Sequence, residues 1–486
     1  MMKAPVLCTA VAMLAMAGCG GNNRSYKTLP LGVAIDLTAG AQDPSFIQAI
    51  QLAEKQVNQA IDNGDDSWDV KFRWYYGDSK NTPALSVEKA TDLVRTFGAR
   101  GLITDSSGSA TAVVALEYDA DETNDLLVPS ICGSCTGAAI NNPAATNANA
   151  VTELALRNGE RWQFRTIMQA TAQSRITAQT AVARGDVNGD GNIKFAIYTG
   201  SDPGFSVATG NEIRCFIQGA PNFGGTGPAA CNNAPNNPYG AGFASSARIE
   251  MLTHVFNANP DTQPWSTHIN QLTNNINESN SNVVDGVPDA IIMITFASQY
   301  AGFVNTYVTL GGTVPLLLFH AFRFPQLLQA LGSKAEGQEG ISQVRLSSTA
   351  SGTAFDRAFL DEYGFEAPFR ASTYYDAAVV TMLGALKATN DLGFEAATGA
   401  AIRDRMPSIA QPGGDIIEAS VEGYGHALEH ILMGDPIDYD GASGPVDIDA
   451  NQNVLNRLAQ YQVRNRNFVE VAQFDCLANP ITCPQL

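Results

Sequence analysis

The chain has 486 residues, 48 of them acidic against 29 basic, for a formal net charge of −19. That field repels polyanions, and Lys and Arg are scattered singly with no basic patch, which excludes nucleic acid as a partner. Hydrophobic residues make up 45% and charged residues 16%, enough apolar surface for a sizeable core and too much for global disorder. Two or three domains, or one large two-lobed unit, fit this length.

Lys3 precedes an apolar run, Ala4 to Ala17, too short for a permanent bilayer span and suited to a secretion signal. The run ends in Leu14-Ala-Met-Ala-Gly-Cys19. Small residues before a Cys resemble the lipobox of bacterial lipoproteins, which implies that Cys19 is acylated and starts the mature chain. Met16 departs from the usual Leu, and an ordinary cleaved signal with an incidental Cys is the alternative. Residues 1–18 are therefore expected to be a signal peptide and 19–28, polar and Gly/Asn-rich, a lipid-anchored tether. No later stretch is long and apolar enough to span a bilayer, so the anchor is the expected membrane attachment, on the periplasmic side of the cell envelope. In an exported chain the remaining six cysteines read as disulfides. Proximity favours Cys132–Cys135, Cys215–Cys231 and Cys476–Cys483. The Cys-Gly-Ser-Cys segment also has redox-dithiol spacing, but it sits amid Ser, Thr and Gly rather than opening a helix.

From Leu29 onward apolar strands alternate with amphipathic helices. Leu31 to Leu37 predicts a strand interrupted by Asp36, and Phe46, Ile50, Ala53, Val57 and Ile61 recur at helical spacing. A strand over Val70 to Tyr76, a helix over Ala84 to Phe97, a strand over Gly101 to Thr104, a helix over Ala110 to Tyr118 and a strand over Leu126 to Ile131 follow. Such βα alternation implies a parallel sheet covered by helices, with ligand loops at the carboxyl ends of its strands. A second series starts near Phe164, with helices over Gln173 to Ala183 and Val207 to Ile217 and a strand over Lys194 to Tyr198 between them. Gly219 to Ser246, rich in Gly, Asn and Pro, reads as a surface insertion capped by the Cys215–Cys231 bond. Strand Ala290 to Thr295, helix Tyr300 to Leu310 and strand Val314 to Phe319 resume the series. Helices over Ala354 to Tyr363, Tyr374 to Thr389 and Ile402 to Met406 come next, and the last element runs Phe468 to Phe474. No repeat of solenoid or propeller period is present.

Six segments in this order resemble the type I periplasmic solute-binding proteins, specifically the branched-chain amino-acid receptors that serve ABC importers. They are the opening Leu31-Gly-Val-Ala-Ile-Asp-Leu-Thr-Ala-Gly40, the Ser-rich Gly101-Leu-Ile-Thr-Asp-Ser-Ser-Gly-Ser109, Val128-Pro-Ser130 with Ser134-Cys-Thr136, Phe164-Arg-Thr166, Tyr374-Tyr-Asp-Ala-Ala378, and Ile437-Asp-Tyr-Asp-Gly-Ala-Ser-Gly-Pro-Val-Asp-Ile-Asp449. The resemblance covers about 29–475. It implies an α/β fold of two lobes, each a mostly parallel sheet flanked by helices, joined by three crossover hinge strands near Arg161 to Thr166, Ile341 to Ser347 and Pro445 to Asp449. Lobe one would comprise 29–162 and 348–445, lobe two 163–347 and 446–486. It further implies a small ligand trapped between closing lobes, an ABC permease as partner, no cofactor and no catalysis. Ligand contacts would come from Thr38, Ser106, Ser107, Ser109, Ser134, Cys135 and Thr136 in lobe one. Phe205, Phe296 and Phe322 would supply them from lobe two, with His320 nearby; ordinary turn and N-cap roles are the alternative. Amino-acid receptors commonly hold the ligand ammonium with a lobe-two acid. Here that loop reads Phe319-His-Ala-Phe-Arg323, so either Asp202 or another acid substitutes, or the ligand is a more apolar molecule.

Three rival chemistries rest on short patterns. Gly133-Ser-Cys-Thr-Gly137 has the form of a nucleophile elbow for a hydrolase using Cys135, but the histidines 254, 268, 320, 426 and 430 lie far from it in sequence. His426 and His430 stand at i, i+4, a zinc-compatible spacing without the metalloprotease order. Asp186, Asn188 and Asp190 resemble half a calcium loop whose twelfth position is Ile197 rather than an acid. We assign no metal. A sensor handing its signal to a membrane partner is the remaining alternative to transport.

Overall fold

Leu29, Leu31, Val33, Ala34 and Ile35 are all buried along one strand, β1 (Lys27–Ile35). A strand apolar on both faces belongs inside a parallel sheet with helices on each side, and the computed structural model places it there. The structure describes residues 25–37, 44–64, 67–119, 121–137, 140, 160–201, 203–219, 242–254, 263–274, 286–368, 370–477 and 483–486. Helix α1 (Ser45–Asn63) shares a core with Leu31, Val33 and Ile35 through Phe46, Ile50, Ala53 and Val57. After β2 (Val70–Asp78), helix α2 (Pro83–Phe97) packs Ala90 and Leu93 with Ala34 and Leu102 in a second core. β3 (Leu102–Thr104), α3 (Ser107–Ala115), β4 (Ser130–Cys132) and β5 (Gln163–Arg165) complete the unit. The strands form one parallel sheet ordered β2-β1-β3-β4-β5.

Two boundaries differ from expectation for local reasons. Helix α3 starts at Ser107, three residues early, because the Ser106 hydroxyl accepts the Ser109 N–H at 3.2 Å and caps it. Strand β4 starts late, at Ser130. The Glu117 carboxylate accepts the Leu126 and Leu127 N–H groups, Leu127 has φ 53°, and Pro129 has no N–H to offer.

The second series gives α4 (Ala170–Ala183), β6 (Lys194–Gly200), a π-helical turn Pro203–Val207, α5 (Ala208–Gln218), β7 (Arg248–His254), α6 (Trp265–Asn274), β8 (Ala290–Ile294), α7 (Ala297–Thr309), β9 (Leu316–Leu318), α8 (Pro325–Leu331) and β10 (Glu339–Gln343). The chain then returns to the first unit with α9 (Ala350–Tyr363), α10 (Ala371–Leu392), α11 (Gly399–Arg405) and α12 (Val421–Met433), plus a small sheet of β11 (Asp415–Glu418), β12 (Ile437–Gly441) and β13 (Gly444–Pro445). Finally β14 (Leu458–Arg464) and β15 (Asn467–Phe474) add antiparallel to β10, giving a seven-stranded sheet ordered β15-β14-β10-β9-β8-β6-β7. The chain thus passes between the two large sheets three times: after β5, after β10 and after β13. Each lobe is a mostly parallel α/β layer structure, as expected. The expected insertion falls largely on 220–241 and lies outside the described residues. No described helix is long and apolar enough to cross a membrane.

Helix α10 is buried on nearly every side, from Ala371 through Leu386, so it runs through the interior of its lobe rather than over its surface. Its Asp376 is fully buried, and its carboxylate accepts four hydrogen bonds. Tyr439 Oη (2.8 Å) and the Ala442 N–H (2.7 Å) donate to Oδ1; the Ser443 N–H (2.8 Å) and Oγ (2.6 Å) donate to Oδ2. The Tyr-Asp-Ala and Gly-Ala-Ser-Gly-Pro segments are therefore two halves of one clasp. Gly441 has to be glycine there, since a Cβ would lie 2.7 Å from the Asp376 carboxylate carbon and 2.5 Å from Val446. Of the expected disulfides, Cys132–Cys135 and Cys476–Cys483 are formed. Cys215 is disulfide-bonded too, and its expected partner Cys231 lies outside the described residues.

Two consequences are measurable. Asp376→Asn turns an NH2 group toward donors that need acceptors, and should lower unfolding free energy by about 3 kcal/mol in urea titrations. Glu212, buried between α4 and α5 with Thr171 and Ser174 donating to it, is pushed up to about 7 by burial. Its folded-state value exceeds its unfolded one, so its contribution is fully present below about pH 4.5 and is lost as pH rises through 7. Glu212→Gln keeps an acceptor for these donors and should raise the melting temperature at pH 8 with little change at pH 4.5.

Candidate ligand cleft

The carboxyl ends of β3 and β4 and the amino end of α10 face the loops after β6, β8 and β9 across a narrow cleft. From the first lobe it is lined by Asp105, Ser106, Ser107, Ser134, Thr136 and Arg370; from the second, by Phe205, Phe296, Ala297, His320, Ala321 and Phe324. One wall is hydroxyl-rich and polar, the other largely aromatic. The free volume of the cleft is small, ≈30 Å³, and it is partly open to solvent. The lobes lie close together, and a solute has to part them to be enclosed between them.

The polar wall is held by a network reaching away from the cleft. Asp105 directly follows β3, and its Oδ2 accepts the Asp36 N–H at 2.7 Å and the Ser79 hydroxyl at 3.1 Å. Burial pushes this carboxyl up to about 6 against those hydrogen bonds. Ser134 donates to the Asp105 carbonyl and lies 2.7 Å from Tyr374 Oη. The Ser107 hydroxyl accepts the Gly137 N–H at 3.0 Å, joining the two loops. The Cys132–Cys135 bond frames Ser134, and Gly133 lets the loop lie against Tyr374, whose ring a Cβ there would meet at 2.9 Å. Underneath, the wholly buried Arg165 donates to the carbonyls of Cys135 (3.0 Å), Gly137 (3.2 Å) and Ile140. Burial lowers it to about 9. Thr166 donates to the Thr373 carbonyl at 2.6 Å. The Phe-Arg-Thr segment thus fixes the loop and ties it to α10.

On the aromatic wall, Phe205 packs against Phe296 (5.9 Å), Phe319 (6.1 Å) and His320 (5.3 Å). Gln173 Oε1 lies 2.8 Å from His320 Nδ1 and also accepts from Gln343 Nε2, so His320 is the Nδ1–H donor and its Nε2 is unprotonated. Burial, and then Arg370, hold His320 well below the usual imidazole range. It is a neutral group at pH 7.

Six residues expected from the sequence meet at this cleft: Ser106, Ser107, Ser134, Thr136, Phe205 and Phe296. Thr38, Asp202 and Cys19 lie outside the described residues. Ser109 sits behind the wall, accepting from Ser86 (2.8 Å) and Ser106 (3.0 Å). Cys135 is buried in its disulfide, which removes the thiolate that a hydrolase or a dithiol exchange would need. Phe322 packs into the second lobe's core against Tyr300 and Phe468, because the 3₁₀ turn His320–Phe322 after β9 rotates it inward. Phe324, at the N-cap of α8 just before Pro325, takes the cleft position instead. Arg370 and Asp105 were also missed. The signal for Arg370 was a lone basic residue directly ahead of the Tyr-Asp-Ala helix, at what proves to be its N-cap.

The other patterns have local explanations. The Asp186 carboxylate accepts N–H groups from Gly189, Asp190 and Gly191; Asn188 donates to the Val287 carbonyl, and Asp190 pairs with Lys194. His430 lies 3.3 Å from Asp415 and 3.5 Å from Asp435, whereas His426 is exposed on α12. Among the described residues no group of three or more His, Cys, Asp or Glu is arranged to hold a metal.

No family model matches this chain, and no curated protein matches it in sequence. Solved structures do match. The leucine-binding protein LivK of Thermotoga maritima is 15% identical with a TM-score of 0.60, covering 92% of this chain and 98% of its own. The branched-chain amino acid transporter substrate-binding protein LivJ of Streptococcus pneumoniae, in complex with isoleucine, is 16% identical with a TM-score of 0.60, over 91% and 98%. An ABC transporter solute-binding protein from R. palustris, in complex with 4-hydroxybenzoate, is 15% identical with a TM-score of 0.60, over 92% and 97%. At these identities the likeness speaks for architecture alone, and the architecture is the two-lobed type I periplasmic-binding-protein fold.

Proposed function

We propose that this protein is an extracytoplasmic solute-binding lipoprotein that captures a small molecule between its lobes and delivers it to an ABC importer without altering it. The observation that carries this is the cleft itself: residues from both lobes converge on one narrow space, so a guest meets its full set of contacts only when the lobes are closed. Differential affinity of that kind shifts the population toward the closed form, which an importer can distinguish from the open one. We place the lobes at 29–162 with 348–445, and 163–347 with 446–486; passages between the two large sheets near these limits, after β5, β10 and β13, support such a division. The lipobox-like Leu14 to Cys19 segment supports anchoring through Cys19, and the permease is the partner that this arrangement serves. Solved neighbours of the fold carry leucine or isoleucine in some cases and benzoates in others, which brackets the size of the guest.

Native mass spectrometry of the purified protein, followed by a thermal-shift panel of amino acids, amides and aromatic acids, tests capture directly. A ligand at 100 times its Kd should stabilise by about 2.7 kcal/mol through mass action. Thr136→Val and Phe296→Ala should each abolish most of that gain while leaving the unliganded protein folded. Retained binding in both variants would refute the site.

A further inference from the structure

Two of the residues lining the cleft carry formal charge, and they are matched differently. The Oδ2 atom of Asp105 accepts the Asp36 N–H and the Ser79 hydroxyl of its own lobe. Arg370 is only 6% exposed, and its buried Nε and Nη2 have no hydrogen-bond partner among the described residues. Arg165, Lys194 and Arg345, also withdrawn from water, each have side-chain partners: three carbonyls, Asp190 and Asp356 respectively. A guanidinium taken out of water with donors unmatched is costly, and its forked donors fit a carboxylate. Phe324 lies beneath it, 5.8 Å from ring centre to guanidinium carbon, a cation–π contact that steadies the charge without using its in-plane N–H groups.

The surroundings favour the same sign. Ser106 and Ser107 open the nine-residue helix α3 at the cleft, and a helix amino terminus attracts anions. Ser134 and Thr136 add hydroxyls beside it. Among the described residues the opposite wall presents Phe205, Phe296, Phe324 and two alanines, with His320 neutral, and no carboxylate to meet an ammonium group. On the reading that this cleft captures a small molecule, we propose that Arg370 anchors the ligand's carboxylate, and that the ligand is a monocarboxylate with a flat, apolar or aromatic body and no ammonium group. Arg370 belongs to the first lobe and reaches a ring of the second, so the anion it holds also sits on the seam that closes.

The test is calorimetric titration of the intact protein at pH 7.5 with benzoate, benzamide, leucine and phenylalanine. Benzoate should bind, and benzamide, which keeps the ring without the charge, should bind at least about 30-fold more weakly. Arg370→Gln should weaken benzoate by a similar factor and leave benzamide nearly unchanged, while Arg370→Lys, which keeps the charge without the fork, should fall between. A merely structural clasp would instead lower the unliganded melting temperature and weaken both ring compounds equally; that result overturns the proposal. Binding of leucine or phenylalanine in preference to benzoate leaves capture standing and overturns the anion assignment. Binding of none of the four overturns the assignment too, and capture itself falls only if the wider thermal-shift panel is also blank. Should Arg370→Gln fail to fold, the benzoate-to-benzamide ratio in the wild type and in Arg370→Lys decides the matter.

Discussion

The first two turns of helix α10 hold this molecule together, and the physical reason is the handling of buried polarity. Arg370, Thr373, Tyr374 and Asp376 are all withdrawn from water, and a buried polar group has to be matched or it works against folding. Asp376 is matched by four donors from β12 and the turn after it, Thr373 by Gly133 and Thr166, and Tyr374 by Ser134 and the Asp105 carbonyl. Tyr374 also stacks on Phe46 at 4.3 Å and fills the space above Gly133. Through these few contacts one helix terminus registers the α1 layer, the β3 and β4 loops and the β12 turn against one another. The cleft's polar wall is the outer surface of that registration.

The cleft's two walls obey different rules. Hydroxyls and amide groups on the first lobe are already ordered by bonds reaching inward, so little reorganisation is left for a guest to impose. Rings on the second lobe contribute area and shape. Each wall alone is a shallow surface exposed to water; closing the lobes removes that water and strengthens every electrostatic contact in the gap. Asp105 and Arg370 are matched differently. The acid's Oδ2 takes the Asp36 N–H and the Ser79 hydroxyl of its own lobe, and the base stands at the seam with Nε and Nη2 unmatched among the described residues.

Disulfide chemistry serves the same end. Cys132–Cys135 closes a tight loop around Ser134 in a segment otherwise made of small, flexible residues, where Arg165 alone would have to hold three carbonyls in place. Restricting that loop before ligand arrives lowers the ordering cost of binding.

Much of the fold was legible in the sequence. Strand–helix alternation from Leu29, the buried periodicity of α1 and the two formed local disulfides follow from hydropathy and proximity, which are properties of neighbouring residues. Loop positions at the carboxyl ends of strands were legible too, and so Ser106, Ser134, Thr136, Phe205 and Phe296 were found. What the tertiary structure alone decided was direction. A 3₁₀ turn after β9 sends Phe322 into the core and Phe324 to the cleft, and no periodicity of two or 3.6 registers such a twist. Strands β10 and β14 draw their stability from partners more than a hundred residues away, such as Glu339 with Gln462. Arg370 shows the limit most clearly: its charge was visible in the chain, but whether it is matched depends on which carboxylates fold back beside it, and that is a fact about space rather than about order along the chain.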